Sequence, residues 1–130
     1  MDYSELIKKA LEAKEKAYVP YSHFKVGAAL LTKSGEIFTG CNIENSSFGA
    51  TNCAERTAIF KAISEGENEF RAIAVMSSSG DFTYPCGICR QVISEFTRDI
   101  KIVLGNNKGD IKIFTIKDFL PYAFTKNDIK

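Results

Sequence analysis

The alternation of apolar and polar residues divides the chain into segments of distinct periodicity. Leu6, Ile7, Ala10, Leu11 and Ala17 recur at helical spacing with Lys and Glu between them, which predicts a helix over residues 3–17, closed by Val19-Pro20-Tyr21-Ser22. From Val26 to Thr32 the residues are small or aliphatic, Lys33-Ser34-Gly35-Glu36 interrupts, and Ile37 to Ile43 resumes, as two strands of a hairpin would. Residues 44–52 are rich in Asn, Ser, Gly and Thr and read as a loop. Cys53 to Ser64 carries Ala54, Ala58, Ile59, Ala62 and Ile63 on one side and predicts a second helix, with Gly66 as its stop. Phe70 to Met76 is apolar almost throughout, which marks a central strand, and Ser77 to Tyr84 is a polar loop. Pro85-Cys86-Gly87-Ile88-Cys89 opens a third helix running to about Thr97. Two strands, Lys101 to Leu104 and Ile111 to Ile116, flank the turn Asn106–Asp110, and Lys117 to Leu120 starts a short terminal helix.

The order α-β-β-α-β-α-β-β-α, without repeat or linker, predicts one domain over residues 1–130, an α/β fold with helices packed on a sheet. The first two strands and the last two must each be antiparallel, because a parallel pair needs a crossover of about a dozen residues or more. Charge narrows the partners: 17 basic residues balance 16 acidic ones, for a net +1, so no basic excess exists to hold a nucleic-acid backbone. Met1 to Ala10 alternates charged and apolar residues, unlike a secretory signal, and no stretch is long enough to span a membrane. A cytoplasmic protein is expected, and there four cysteines serve as thiols or metal ligands rather than disulfides.

The cysteines carry the chemistry. Cys86 and Cys89 stand at Cys-x-x-Cys spacing, able to grip one metal ion from a single helical turn, and Cys53 offers a third thiolate from the start of the preceding helix. Three thiolates bind Zn²⁺ and leave a fourth tetrahedral position open, which marks catalysis; water there is far more acidic than bulk water. Helix N-termini stabilise thiolates, and Arg56 and Arg90, beside the clusters, are placed to donate to the sulfurs and temper the charge of a Zn(Cys)₃ unit. Glu55, two residues from a ligand, is free to carry protons. The competing structural reading adds Cys41 as a fourth ligand; its place at a strand end suits a small buried residue better.

Cys-Ala-Glu followed by Pro-Cys-x-x-Cys is the zinc-deaminase signature, and the chain resembles the cytidine deaminase family in its small homotetrameric form. The resemblance spans nearly the whole chain, through Tyr21 to Ala29, Gly40 to Asn45, Cys53 to Arg56, Pro85 to Gln91, and Leu120-Pro121. It implies a three-layer fold, a five-stranded mixed sheet with helices on both faces and its last two strands antiparallel. It implies Cys53, Cys86 and Cys89 as ligands of one zinc per chain, and Glu55 as proton shuttle in hydrolysis of cytidine and deoxycytidine to the uridine products and ammonia. By the same resemblance Phe24 packs on the pyrimidine, Asn42 and Glu44 hold the ribose 3′-hydroxyl, with Asn45 and Phe48 nearby. The Ala54 backbone reads the base edge, and Phe124 closes the pocket across a subunit boundary of a homotetramer. Phe48 stands where many members carry Tyr, so any polar role there is lost. The implied role is pyrimidine salvage, with a small nucleoside as partner and neither nucleic acid nor membrane.

Three other readings compete. Nucleic-acid deaminases typically use His as first ligand and place a helix between the last two strands; Cys53 and the five-residue turn oppose both. A blasticidin-S-type deaminase shares the three-cysteine site, but Phe24 and Asn42-Ile43-Glu44-Asn45 favour an ordinary nucleoside. A zinc-stabilised binding module has no use for Glu55 beside an open metal position.

Overall fold

The computed structural model describes residues 2–96 and 98–129. Helix α1 (Ser4–Lys14) leads into strands β1 (Val26–Thr32) and β2 (Ile37–Cys41), then α2 (Ala54–Ser64), β3 (Phe70–Ser77), α3 (Gly87–Phe96), β4 (Lys101–Gly105), β5 (Ile111–Thr115) and the single turn α4 (Ile116–Phe119). Thr97, the expected end of the third helix, lies outside the described residues.

The five strands form one sheet in the order β2-β1-β3-β4-β5. β1 pairs antiparallel with β2 and with β3, β4 pairs antiparallel with β5, and β3–β4 is the parallel junction, with α3 as its crossover. Both expected antiparallel pairs and the mixed sheet are therefore present.

Alternation along the strands gives each face its own core. On one face Leu6 and Ala10 of α1 pack against Ala29, Ala72, Ala74, Met76 and Val103. On the other, Ala54, Ala58, Ile59 and Ala62 of α2 and Ile93 of α3 cover Ala28, Leu30, Ile73, Val75, Ile102 and Leu104. Two glycines let the helices come this close. A Cβ on Gly27 would lie 2.1 Å from the Ala10 carbonyl oxygen on α1, and one on Gly40 would lie 2.5 Å from the Ala54 carbonyl oxygen on α2.

Several boundaries differ from the periodicity. α1 stops at Lys14 rather than residue 17, because Tyr18 is drawn into a bridge with Ile43: the Tyr18 N–H donates to the Asn42 carbonyl (3.0 Å) and the Glu44 N–H to the Tyr18 carbonyl (2.9 Å). The same bridge ends β2 at Cys41 instead of Ile43. The 44–52 loop contains a 3-10 turn, Phe48–Ala50. Ile116 begins α4 rather than ending β5, since Thr115 caps it and donates its own N–H to the Asp118 carboxylate at 2.8 Å.

Candidate active site

Two helix starts converge on the cysteine cluster. Cys53 is the N-cap of α2, its carbonyl accepting the Thr57 N–H at 3.0 Å. Cys86 holds the equivalent place before α3, its carbonyl accepting the Arg90 N–H at 3.0 Å, and Cys89 follows in the first turn. Cysteine is no conventional cap, and neither helix needs one here: the free N–H groups of both first turns lie where negative sulfur is welcome.

The three sulfurs lie within 4.8 Å of one another, with Cys53 Sγ and Cys86 Sγ 3.6 Å apart. A disulfide requires about 2.05 Å, and all four cysteines are free. Three thiolates on one tetrahedral zinc stand about 3.8 Å apart, from Zn–S bonds of about 2.3 Å. The donor set and spacing therefore fit zinc. Cys41 is not part of this cluster, which removes the closed four-cysteine site.

The electrostatics prepare for a cation. A hydrogen bond from Cys89, together with Arg56, holds the Cys53 thiol down at about 5 against its burial, while Cys89 keeps its proton to make that bond. Arg56 Nη2 donates to Cys53 Sγ at 3.3 Å, as its position beside the cluster predicted, and its buried Nε has no protein acceptor. Arg90 does something else. Its Nε donates to the Pro85 carbonyl (2.8 Å), its Nη1 to the Phe119 carbonyl (3.0 Å), and its guanidinium lies 4.7 Å from the Phe119 ring centre. The expected Arg90–sulfur bond is thus replaced by a clasp between the segment before Cys86 and the C-terminal tail.

Glu55, 4% exposed in the first turn of α2, is raised to about 7 by burial and secondarily by the Cys53 thiolate. A carboxyl group balanced near neutrality both accepts and returns a proton. Ala54, adjacent, is fully buried.

A second group of expected residues is gathered on the neighbouring loops. Ile43 and Asn52 exchange backbone hydrogen bonds at 2.9 Å, so the Asn42–Glu44 segment runs beside the entry to α2. Asn42 Oδ1 accepts the Val26 N–H (2.9 Å) and its Nδ2 donates to the Phe24 carbonyl (2.8 Å). Glu44 accepts the N–H groups of Tyr21 (3.0 Å) and Ser22 (3.1 Å) and the Ser22 hydroxyl, and these bonds hold its carboxyl below the usual range. Both side chains shape the loop and keep lone pairs in reserve, since a carboxylate or amide oxygen accepts more than one hydrogen bond. Asn45 Oδ1 is turned back to the Ser47 N–H (2.8 Å). Phe24, Phe48 and Phe124 are exposed, Phe48 meeting Tyr21 edge-on at 5.7 Å.

Residue patterns did not single out the supports of this site. Thr57 donates its hydroxyl to the Cys53 carbonyl (3.1 Å) and accepts from Asn52 Nδ2 (3.0 Å). Gln91 Nε2 donates to the Phe124 carbonyl at 2.8 Å. Polar residues flanking the ligands were the available signal, but such residues are common on any solvated helix face.

A thiolate metal cluster beside a buried, near-neutral carboxyl defines a zinc-dependent hydrolytic enzyme. Residues 1–106 match the family described as the cytidine and deoxycytidylate deaminase zinc-binding region. A cytidine deaminase of Halalkalibacterium halodurans is 55% identical over 99% of this chain and 98% of its own. One from Sporosarcina psychrophila is 52% identical over 99% and 96%. The crystal structure of cytidine deaminase from Burkholderia pseudomallei superposes with a TM-score of 0.91 at 50% identity, covering 95% of this chain and all of that one. The chain belongs to the cytidine deaminase family of zinc-dependent hydrolytic deaminases, with one zinc ion per chain.

Proposed function

We propose that this enzyme hydrolyses cytidine and deoxycytidine to uridine and deoxyuridine, releasing ammonia, and serves pyrimidine nucleoside salvage in the cytoplasm. The observation that carries the reading is Glu55: a buried carboxyl at about 7, two residues from Cys53 and beside a three-sulfur cluster of zinc dimensions. Cys53, Cys86 and Cys89 hold the metal. When bound, zinc supplies a Lewis acid that makes water acidic enough to react at neutral pH. Glu55 takes one proton of the attacking water and passes it to ring nitrogen N3, then moves the remaining hydroxyl proton to the exocyclic amino group, which leaves as ammonia. Water's oxygen ends at C4 and the C4–N bond breaks.

In this reading the Ala54 backbone addresses the base edge and Phe24 packs against the ring. Asn42 and Glu44 bind the sugar with their spare lone pairs, while Asn45 and Phe48 line the approach. Arg56 tempers the sulfurs. Phe124 closes the pocket of a neighbouring subunit in a homotetramer. Support for assembly comes from the aromatic surface: Tyr18, Tyr21, Phe24 and Phe48 are 58%, 50%, 38% and 73% exposed on adjoining loops, and Tyr21 meets Phe48 edge-on at 5.7 Å, as side chains of an apolar interaction patch would. No helix among the described residues is long and apolar enough to cross a membrane.

The deciding experiment is ammonia release by zinc-quantified protein offered cytidine, deoxycytidine, cytosine, adenosine and blasticidin S in parallel. Turnover of the two cytosine nucleosides is expected. Turnover confined to blasticidin S would overturn the pocket assignment, and none at full zinc loading would overturn the enzymatic reading.

A further inference from the structure

A cleft of about 530 Å³ lies between the second half of α1, the edge strand β2 and α2, and its walls include Lys9, Glu12, Lys16, Cys41, Thr57 and Lys61. Three ammonium groups face one carboxylate there, in a chain whose overall balance is 17 basic to 16 acidic residues. None of the three forms an ion pair among the described residues, where the ion pairs are Lys14–Glu15 and Lys33–Asp99. Lys61 donates to the Thr39 carbonyl of β2, which ties its head to the β2 wall and leaves two of its three protons free. Lys16, from the segment just after α1, and Lys61, from α2, line the same cleft as Cys41. Like charges lining one cleft repel one another and focus their field into it. An anion relieves both effects.

The size of the cleft sets the class of anion. It falls within the range of about 300–1,000 Å³ typical of small-molecule sites, well beyond a single inorganic phosphate. We propose that this cleft binds the di- or triphosphate group of a phosphorylated metabolite, with Lys9, Lys16 and Lys61 as its cationic ligands. Three ammonium groups match the three or four negative charges of such a group. The cleft is distinct from the cysteine cluster but shares α2 with it. Thr57, which lines the cleft, holds the Cys53 carbonyl through its hydroxyl at 3.1 Å, so an occupant rests against the support of the metal helix.

Calorimetric titration of the zinc-loaded protein at low ionic strength, with inorganic triphosphate, ATP and adenosine, tests this directly. Triphosphate and ATP are expected to bind and adenosine not to; tighter binding of ATP marks a nucleotide as the source, and equal affinity marks free polyphosphate. The triple variant Lys9→Gln/Lys16→Gln/Lys61→Gln is expected to weaken both at least tenfold, whereas Lys8→Gln/Lys33→Gln/Lys126→Gln, the same charge removed elsewhere, leaves them unchanged. Should the cleft variant fail to fold, Lys16→Gln alone, on an exposed side chain, is expected to weaken binding about threefold. Absence of binding at millimolar ligand, unchanged binding in the cleft variants, or equal loss in the two triple variants would overturn the proposal.

Discussion

Glu55 and Glu44 are both acidic residues next to polar loops, and their surroundings drive them in opposite directions. Glu55 is buried and lifted to about 7, whereas Glu44 sits in a cradle of Ser22 and Tyr21 donors and is pulled down. Glu55→Gln keeps the shape and removes the proton carrier. It is expected to retain one zinc per chain and lose roughly 10²–10⁴-fold in kcat; activity near the wild-type level would refute the shuttle role. For Glu44 the linkage runs toward acid. A carboxyl lowered on folding contributes stability fully above its unfolded value near 4.5 and loses it as pH falls through the lower folded value. Wild type is therefore expected to melt above Glu44→Gln at neutral pH, the gap closing below about pH 4. A gap that persists there would place the effect elsewhere. At this scale the sequence was informative about chemistry and poor about direction. Cys53, Cys86 and Cys89 were legible because a metal demands fixed donor types at fixed spacings. Arg90 was misjudged because adjacency to Cys89 says nothing of which way a long side chain turns, and it turned to the Pro85 and Phe119 carbonyls.

At the scale of elements, periodicity located β1 and β3 well, since both are buried strands flanked by polar loops. It overran α1 and β2, because the Tyr18–Ile43–Asn52 bridges join residues far apart in the chain, and local pattern carries no trace of them. The close approach of α2 to β2 was equally hidden, resting on the absence of a side chain at Gly40. Gly40→Ala would set a Cβ 2.5 Å from both the Ala54 carbonyl oxygen and the Ala58 nitrogen. Backbone does not yield as a flexible side chain does, so a loss of about 1–3 kcal/mol is expected, read as a lower denaturant midpoint. An unchanged midpoint would mean that α2 moves freely over the sheet. Because α2 carries Cys53 and Glu55, the same variant is expected to lose activity at temperatures where it remains folded.

For the whole molecule, the metal centre joins segments that are 33 residues apart, at the starts of two helices on one face of the sheet. Thiolates that meet only in the folded chain make metal binding part of folding free energy. Removal of zinc by a chelator is expected to lower the melting temperature, with recovery on adding zinc back. A melting curve indifferent to zinc would show that the sheet and its two cores alone account for stability. The turn Asn106–Asp110 acts on the same scale. Asn106 Oδ1 receives the N–H groups of Lys108 (3.0 Å) and Asp110 (2.9 Å), and Gly109 takes a φ of +85° to complete the reversal. Because the turn is tight, β5 retraces β4, and the tail leaves the sheet where β4 began, to run back along α3 as far as Gln91 and Phe124. A crossover helix in its place would send β5 the other way and discharge the tail at the opposite rim. The five-residue turn thus acts as a railway point for the tail, routing Phe124 to the α3 side of the sheet where Gln91 holds it, and a graft of that turn alone is expected to re-route the tail.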